Sequence, residues 1–207
     1  MIDNTAERDI KNFSKTDDVR QWLVEHGFIS EQAESYQIAV VDDWDRPGSE
    51  SYVMHFSVSE TARDGSLSRQ DFISKACIKV PSAETMQEWL LRREMLNEVG
   101  LSTPRLFATE RAALIEEFIP YTFKEAFSNA SDDDRKTMLS ELVTAYDTLV
   151  QNGFHPRIMN DLRSRGTDVV FVDFGEDLGG KFNDKIPVHG REDILRQTLG
   201  KLGISSL

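Results

Sequence analysis

The chain has 207 residues, one cysteine and a formal net charge of −12, with an isoelectric point near 4.8. That length allows one substantial core or two small lobes but not two large domains, and the acidic balance opposes attraction to phosphate backbones and anionic lipid, so neither nucleic acid nor a membrane is an expected partner. Cys77 alone cannot form an intramolecular disulfide, the N-terminus has no signal-peptide pattern, and no run reaches the roughly 20 apolar residues of a membrane span. The expected location is cytoplasmic, with delivery by a specialised secretion system left open.

In chain order, Thr16-Asp17-Asp18 followed by Val19, Trp22, Leu23 and Phe28 predicts a capped amphipathic helix within an N-terminal extension, residues 1–35. From Tyr36 the pattern becomes β-rich: 37–41, then 52–58 with Tyr52, Met54, Phe56 and Val58 alternating, then 72–80. Three antiparallel strands are the simplest arrangement. The polar stretches 42–51 and 60–68 are read as loops. Pro81-Ser82 opens a helix with Met86, Trp89, Leu90 and Leu96 on one side, closed by Gly100 ahead of Pro104. Strand-like pieces at 105–108 and 112–118 follow, ending at Pro120.

Beyond Pro120 the character is helical, first at 123–127. Ser131-Asp132-Asp133-Asp134 suits a helix N-terminus, and Met138, Leu139, Leu142, Val143, Tyr146, Leu149 and Val150 recur three and four apart until Gly153. A loop at 154–166 leads to the apolar strand Val169-Val170-Phe171-Val172, which runs into Asp173-Phe174-Gly175; one more helix is expected at 192–199. The fold class is α+β.

Asp173-Phe174-Gly175 after an apolar strand, with Ala76-Cys77-Ile78-Lys79-Val80 upstream on another strand, resembles the protein-kinase-like superfamily. Lys79 lies on the third strand, and Glu94 follows 15 residues later on the next helix, similar to the lysine and glutamate whose ion pair holds nucleotide phosphates. Leu114-Ile115-Glu116-Glu117-Phe118-Ile119-Pro120 looks like the hinge of aminoglycoside and choline phosphotransferases, so backbone groups at Glu117, Phe118 and Ile119 would meet the adenine. The resemblance spans residues 37–175. It implies a two-lobed kinase-like fold, with a β-rich N-lobe at 36–119 and a minimal helical C-lobe at 120–207.

It also implies ATP and Mg²⁺ as cofactors. Phosphoryl transfer needs a fixed cation, hard oxygen ligands and alignment more than covalent participation. Asp173 would supply the first metal contact, and Asn160, thirteen residues earlier, the second. Five residues before Asn160, where the family has its catalytic aspartate, this chain has His155. Arg157 stands where many protein kinases carry a lysine that steadies the transferred phosphate. A neutral histidine is a competent proton acceptor, whereas a protonated one is a cation beside the phosphates. Further departures are the turn Asp45-Arg46-Pro47-Gly48-Ser49-Glu50, which has one glycine, and Glu116, which falls where an apolar residue backs the adenine.

Each residue also has a plainer reading. A lysine at a strand end is ordinarily a solvated charge, Glu94 shares its helix with Glu84, Glu88 and Glu98, and Asn160-Asp161 suits a turn. His155 before Pro156 suits a structural loop, and His26, His55 and His189 share no metal-ligand spacing and are assigned no role. The functional expectation is an ATP- and Mg²⁺-dependent phosphotransferase acting on a hydroxyl acceptor, a protein being favoured over a small molecule. The alternatives are a regulatory pseudokinase and a kinase-like enzyme that transfers AMP.

Overall fold

The computed structural model describes residues 17–44, 51–77, 82–110, 113–154, 162–174 and 191–204. They form a mixed α+β structure that divides into two units, Met1–Ile78 with Arg105–Phe118, and Lys79–Pro104 with Ile119–Leu207.

The first unit holds helix α1 (Asp17–Glu25) and strands β1 (Ala33–Trp44), β2 (Ser51–Ala62), β3 (Leu67–Cys77), β4 (Leu106–Glu110) and β5 (Ala113–Glu117). They make one five-stranded sheet in the order β1-β2-β3-β5-β4, with every neighbouring pair antiparallel. Period-two alternation sends Met54, Phe56, Val58 and Phe72 to one face, where they meet Val19, Leu23, Phe28 and Ile29 in a single buried cluster. Residues 17–29 are therefore part of the sheet's core. Its centre is aromatic: Phe72 lies 4.8 Å from Phe28, 5.4 Å from Phe56 and 4.9 Å from Phe107, the last edge-on.

The stretch 60–68, expected as a loop, is instead the far end of a long hairpin. β2 runs to Ala62, β3 starts at Leu67, and Thr61 faces Leu67. A polar composition on both faces hides such a strand from periodicity, while backbone pairing and the Asp64–Ser66 hydrogen bonds in the turn hold it.

The second unit holds helices α2 (Ser82–Glu98), α3 (Phe123–Asn129), α4 (Asp132–Gln151) and α5 (Arg191–Leu202), with strands β6 (Tyr121–Thr122), β7 (Leu162–Arg165) and β8 (Asp168–Phe171). The order of the small sheet is β6-β7-β8. Strand β7 lies within the expected 154–166 loop; Leu162 and Ser164 are buried there while Arg165 is exposed. Four residues with a small polar side chain at an inward position carry too little signal for a strand to be read. α4 starts on a Ser131 cap that accepts from the Asp134 N–H, and buries Met138, Leu142, Ala145, Tyr146 and Leu149. Its C-cap is Asn152, and the φ of 77° at the following Gly153 lets the chain reverse and bury Phe154. The Tyr146 hydroxyl meets Thr198 Oγ1 of α5 at 2.7 Å, both residues being fully buried.

Candidate functional site

In the second unit, the apolar run of β8 delivers Asp173 and Phe174 just past the strand's end. Val169, Val170, Phe171 and Phe174 are buried, whereas Asp173 is half-buried, which leaves a carboxylate at the edge of an apolar strand. The segment before it is pinned by the turn after α2: Ser102 bridges Val170, and the Phe171 N–H donates to the Ser102 carbonyl at 2.9 Å. The segment after it is pinned by α2 itself. Arg92, 7% exposed, donates from Nη1 to the Phe174 carbonyl at 2.9 Å. Arg93, equally buried, donates to the Pro104 carbonyl and lies over the Phe174 ring, 5.7 Å from its centroid.

On this helix Glu94 is the residue expected at the nucleotide, and the two arginines before it are the ones seen to hold Phe174. Glu94 is exposed. Two adjacent arginines read as a solvated face. Their burial depends on backbone carbonyls at positions 104 and 174, and no local pattern encodes that.

In the first unit, the sheet face opposite the aromatic core carries polar and charged side chains withdrawn from solvent beside the apolar Ile73 and Leu114. His55, Ser57 and Glu116 are all under a tenth exposed. Lys75 of β3 sits directly across from Leu114, and Glu116 lies one pair further along the same face. That diagonal brings Lys75 Nζ to 2.5 Å from Glu116 Oε1, the side chains being 16% and 1% exposed. In the next rows, His55 Nε2 is 3.2 Å from Asp71 Oδ1, Arg69 Nη2 is 3.0 Å from the same oxygen, and the Phe118 ring stacks on His55 at 4.0 Å. His55, assigned no role from sequence, thus belongs to a charged cluster with Asp71. Lys75 gave no signal because a charge at an inward strand position is recognisable only once β5 supplies its counter-ion.

The residues expected to form a hinge divide between the units. The Glu117 N–H donates to the Arg105 carbonyl at 2.8 Å, its side chain accepts from the Arg105 N–H at 3.0 Å, and the Phe118 N–H donates to the Asp71 carbonyl at 3.3 Å. Both N–H groups are thus used inside the sheet. Ile119, in the second unit, is buried, and its carbonyl accepts from Arg163 Nη1 at 3.5 Å. Lys79, His155, Arg157 and Asn160 lie outside the described residues.

Among the described residues, no group of three or more His, Cys, Asp or Glu side chains is gathered to hold a metal ion, and no helix is long and apolar enough to cross a membrane. Asp173 is the described residue that offers a hard oxygen at the sequence-expected metal position. In comparisons with known proteins, no protein-family model and no curated protein matches the chain.

Proposed function

We propose that the chain is a kinase-like phosphotransferase that binds ATP with Mg²⁺ and passes the γ-phosphate to a hydroxyl acceptor, a protein in preference to a small molecule. The observation that carries this reading is the setting of Asp173: a half-buried carboxylate leaves an apolar strand, and the following Phe174 is held by the helix after the third strand. The order of three antiparallel strands, a helix and two more strands supports it, as does a later hairpin that ends two residues before Asp173.

In this reading Asp173 and Asn160 would ligate the ion, a modest demand because Mg²⁺ takes few protein ligands and keeps phosphates and waters. When bound, Mg²⁺ supplies charge neutralisation along the phosphate chain. Lys79 would be the strand cation for the phosphates, as the resemblance implies, while Lys75 is ion-paired with Glu116. His155 in its neutral form accepts the hydroxyl proton, and the Arg157 fork steadies the transferred group. With the N–H groups of Glu117 and Phe118 engaged in the sheet, base recognition falls to carbonyls of this segment.

A second reading, a regulatory nucleotide-binding module without transfer, is favoured by Glu94, which is exposed. One experiment separates the readings. The chain is incubated with ATP labelled at the α or γ phosphate in a cell lysate, and its melting is followed with and without ATP and Mg²⁺. Transfer of γ label that falls at least about 100-fold in Asp173→Ala supports the phosphotransferase. Transfer of α label means AMP is moved instead, a melting shift with no transfer means a regulatory module, and no shift with no transfer overturns nucleotide binding.

A further inference from the structure

We propose that Arg92 is a positioning residue for the Asp173 carboxylate, acting through the Phe174 backbone, with Arg93 closing the frame around it. The inference rests on the reading of Asp173 as a metal-binding carboxylate. Upstream of Asp173, the Phe171 N–H is fixed by the Ser102 carbonyl; downstream, the Phe174 carbonyl is fixed by Arg92. Both anchors belong to one continuous segment, α2 and the turn that follows it. Arg93 ties that segment to itself by donating to the Pro104 carbonyl, and covers the buried Phe174 ring. The result is a closed frame: helix, turn, end of β8, and back to the helix.

The chemistry gives this frame a purpose. One carboxylate contributing to a metal site must be aimed to within about 0.5 Å, and an aspartate's aim follows from its own backbone dihedrals and those of its neighbours. A plain β-strand end frays, since the groups beyond its last pair have no partner strand. Here a buried guanidinium, planar and always charged, replaces that partner. Glu88, one turn earlier on α2, lies 3.8 Å from Arg92 Nη2 and orients the fork from its solvent side. Arg92 itself does not touch the metal or the nucleotide in this account. Its effect is conveyed entirely through the peptide group it holds.

The test uses the full chain with Arg92→Met, which keeps the length and removes every donor, and Arg92→Lys, which keeps a charge and a donor. Two readouts are taken: amide hydrogen exchange at residues 172–174 and in α4, and Mn²⁺ binding in the presence of ATP, followed by electron paramagnetic resonance. The expected result for Arg92→Met is exchange about tenfold faster at 172–174 and unchanged around Leu142 and Leu149, with Mn²⁺ affinity about tenfold weaker. Arg92→Lys should recover part of both. Unchanged exchange at 172–174 overturns the proposal, as does faster exchange spread equally through α4, because Arg92 would then serve only general stability. Local loosening with unaltered Mn²⁺ affinity also overturns it. If the unmutated chain binds no Mn²⁺ with ATP, the functional reading fails, and the exchange data still decide whether Arg92 holds the segment.

Discussion

Lys75 and Glu116 form an ion pair within one sheet, Nζ to Oε1 at 2.5 Å, with the carboxylate almost wholly removed from water. The lysine that the kinase resemblance pairs with Glu94 is Lys79, which lies outside the described residues. Lys75, four residues earlier on β3, finds a counter-ion on β5, from a position fixed by the β3–β5 register. Both partners of the pair thus stand on neighbouring strands of one sheet.

Breaking that pair from one side should be severe. Lys75→Met takes away the ammonium 2.5 Å from the buried Glu116 carboxylate, and Glu116→Leu takes away that carboxylate; each should lower unfolding free energy by about 3–5 kcal/mol. The double variant Lys75→Met with Glu116→Leu removes both charges and should recover most of the loss, within about 1 kcal/mol of the unmutated chain. Urea unfolding of the four proteins measures this, and single-variant losses that simply add would show that the two charges are not coupled.

The aromatic centre of the first unit supplies a second expectation. Phe72 is 1% exposed and meets the rings of Phe28, Phe56 and Phe107. Phe72→Ala removes a ring that neighbours on the segment after α1, on β2 and on β4 cannot jointly replace, and should cost about 3–5 kcal/mol. Phe28→Ala should cost a similar amount, because residues 17–29 are integral to that core. A Phe28→Ala loss below about 1 kcal/mol would mean that the segment following α1 adds little to the sheet's stability.

Much of the element order was legible because the apolar residues keep a clean period. Met54, Phe56 and Val58 alternate, and Met138, Leu142, Tyr146 and Leu149 fall on one helical stripe, so both were read from sequence and are buried as expected. Polar residues in structured positions were not legible. Glu60 and Ser68 lie in a hairpin because backbone pairing sufficed, and Leu162–Arg165 forms a strand with only two inward side chains. The same blindness applied to the candidate site. Asp173 announced itself through its apolar strand, while Arg92, Arg93, Lys75 and His55 became meaningful only when distant segments supplied a carbonyl, a carboxylate or a ring.

The buried hydroxyl pair of the second unit tests the same logic without charges. Tyr146 and Thr198 share one hydrogen bond at 2.7 Å with neither residue exposed. Tyr146→Phe should cost about 1–3 kcal/mol by taking this partner from the buried Thr198 hydroxyl, and Thr198→Val should weaken the fold by removing the same bond from its other side. Combining them removes both polar groups at nearly constant volume. The double variant should therefore be less destabilised than the sum of the singles, and strict additivity in chemical denaturation would count against the bond.

The start of α3 carries a pH dependence whose sign follows from its geometry. Thr122 Oγ1 accepts from the Glu125 N–H at 3.1 Å, and Glu125 Oε2 accepts from the Thr122 N–H at 2.9 Å and from its hydroxyl at 2.8 Å, a reciprocal capping box. The backbone N–H, and after it the hydroxyl, hold the Glu125 carboxyl below its ordinary value of 4.5. A carboxyl whose folded value lies below its unfolded one stabilises the fold fully above the unfolded value, and that contribution disappears as pH falls through the folded value. Thr122→Ala should therefore cost about 1 kcal/mol at neutral pH. Glu125→Gln, which keeps an acceptor but loses the charge, should be destabilising at neutral pH and converge on the unmutated chain as the carboxyl is titrated, starting below about pH 5. Urea midpoints measured from neutral to acid pH read this directly: a Glu125→Gln penalty that stays constant across the series would show that the carboxylate's charge contributes nothing to the cap.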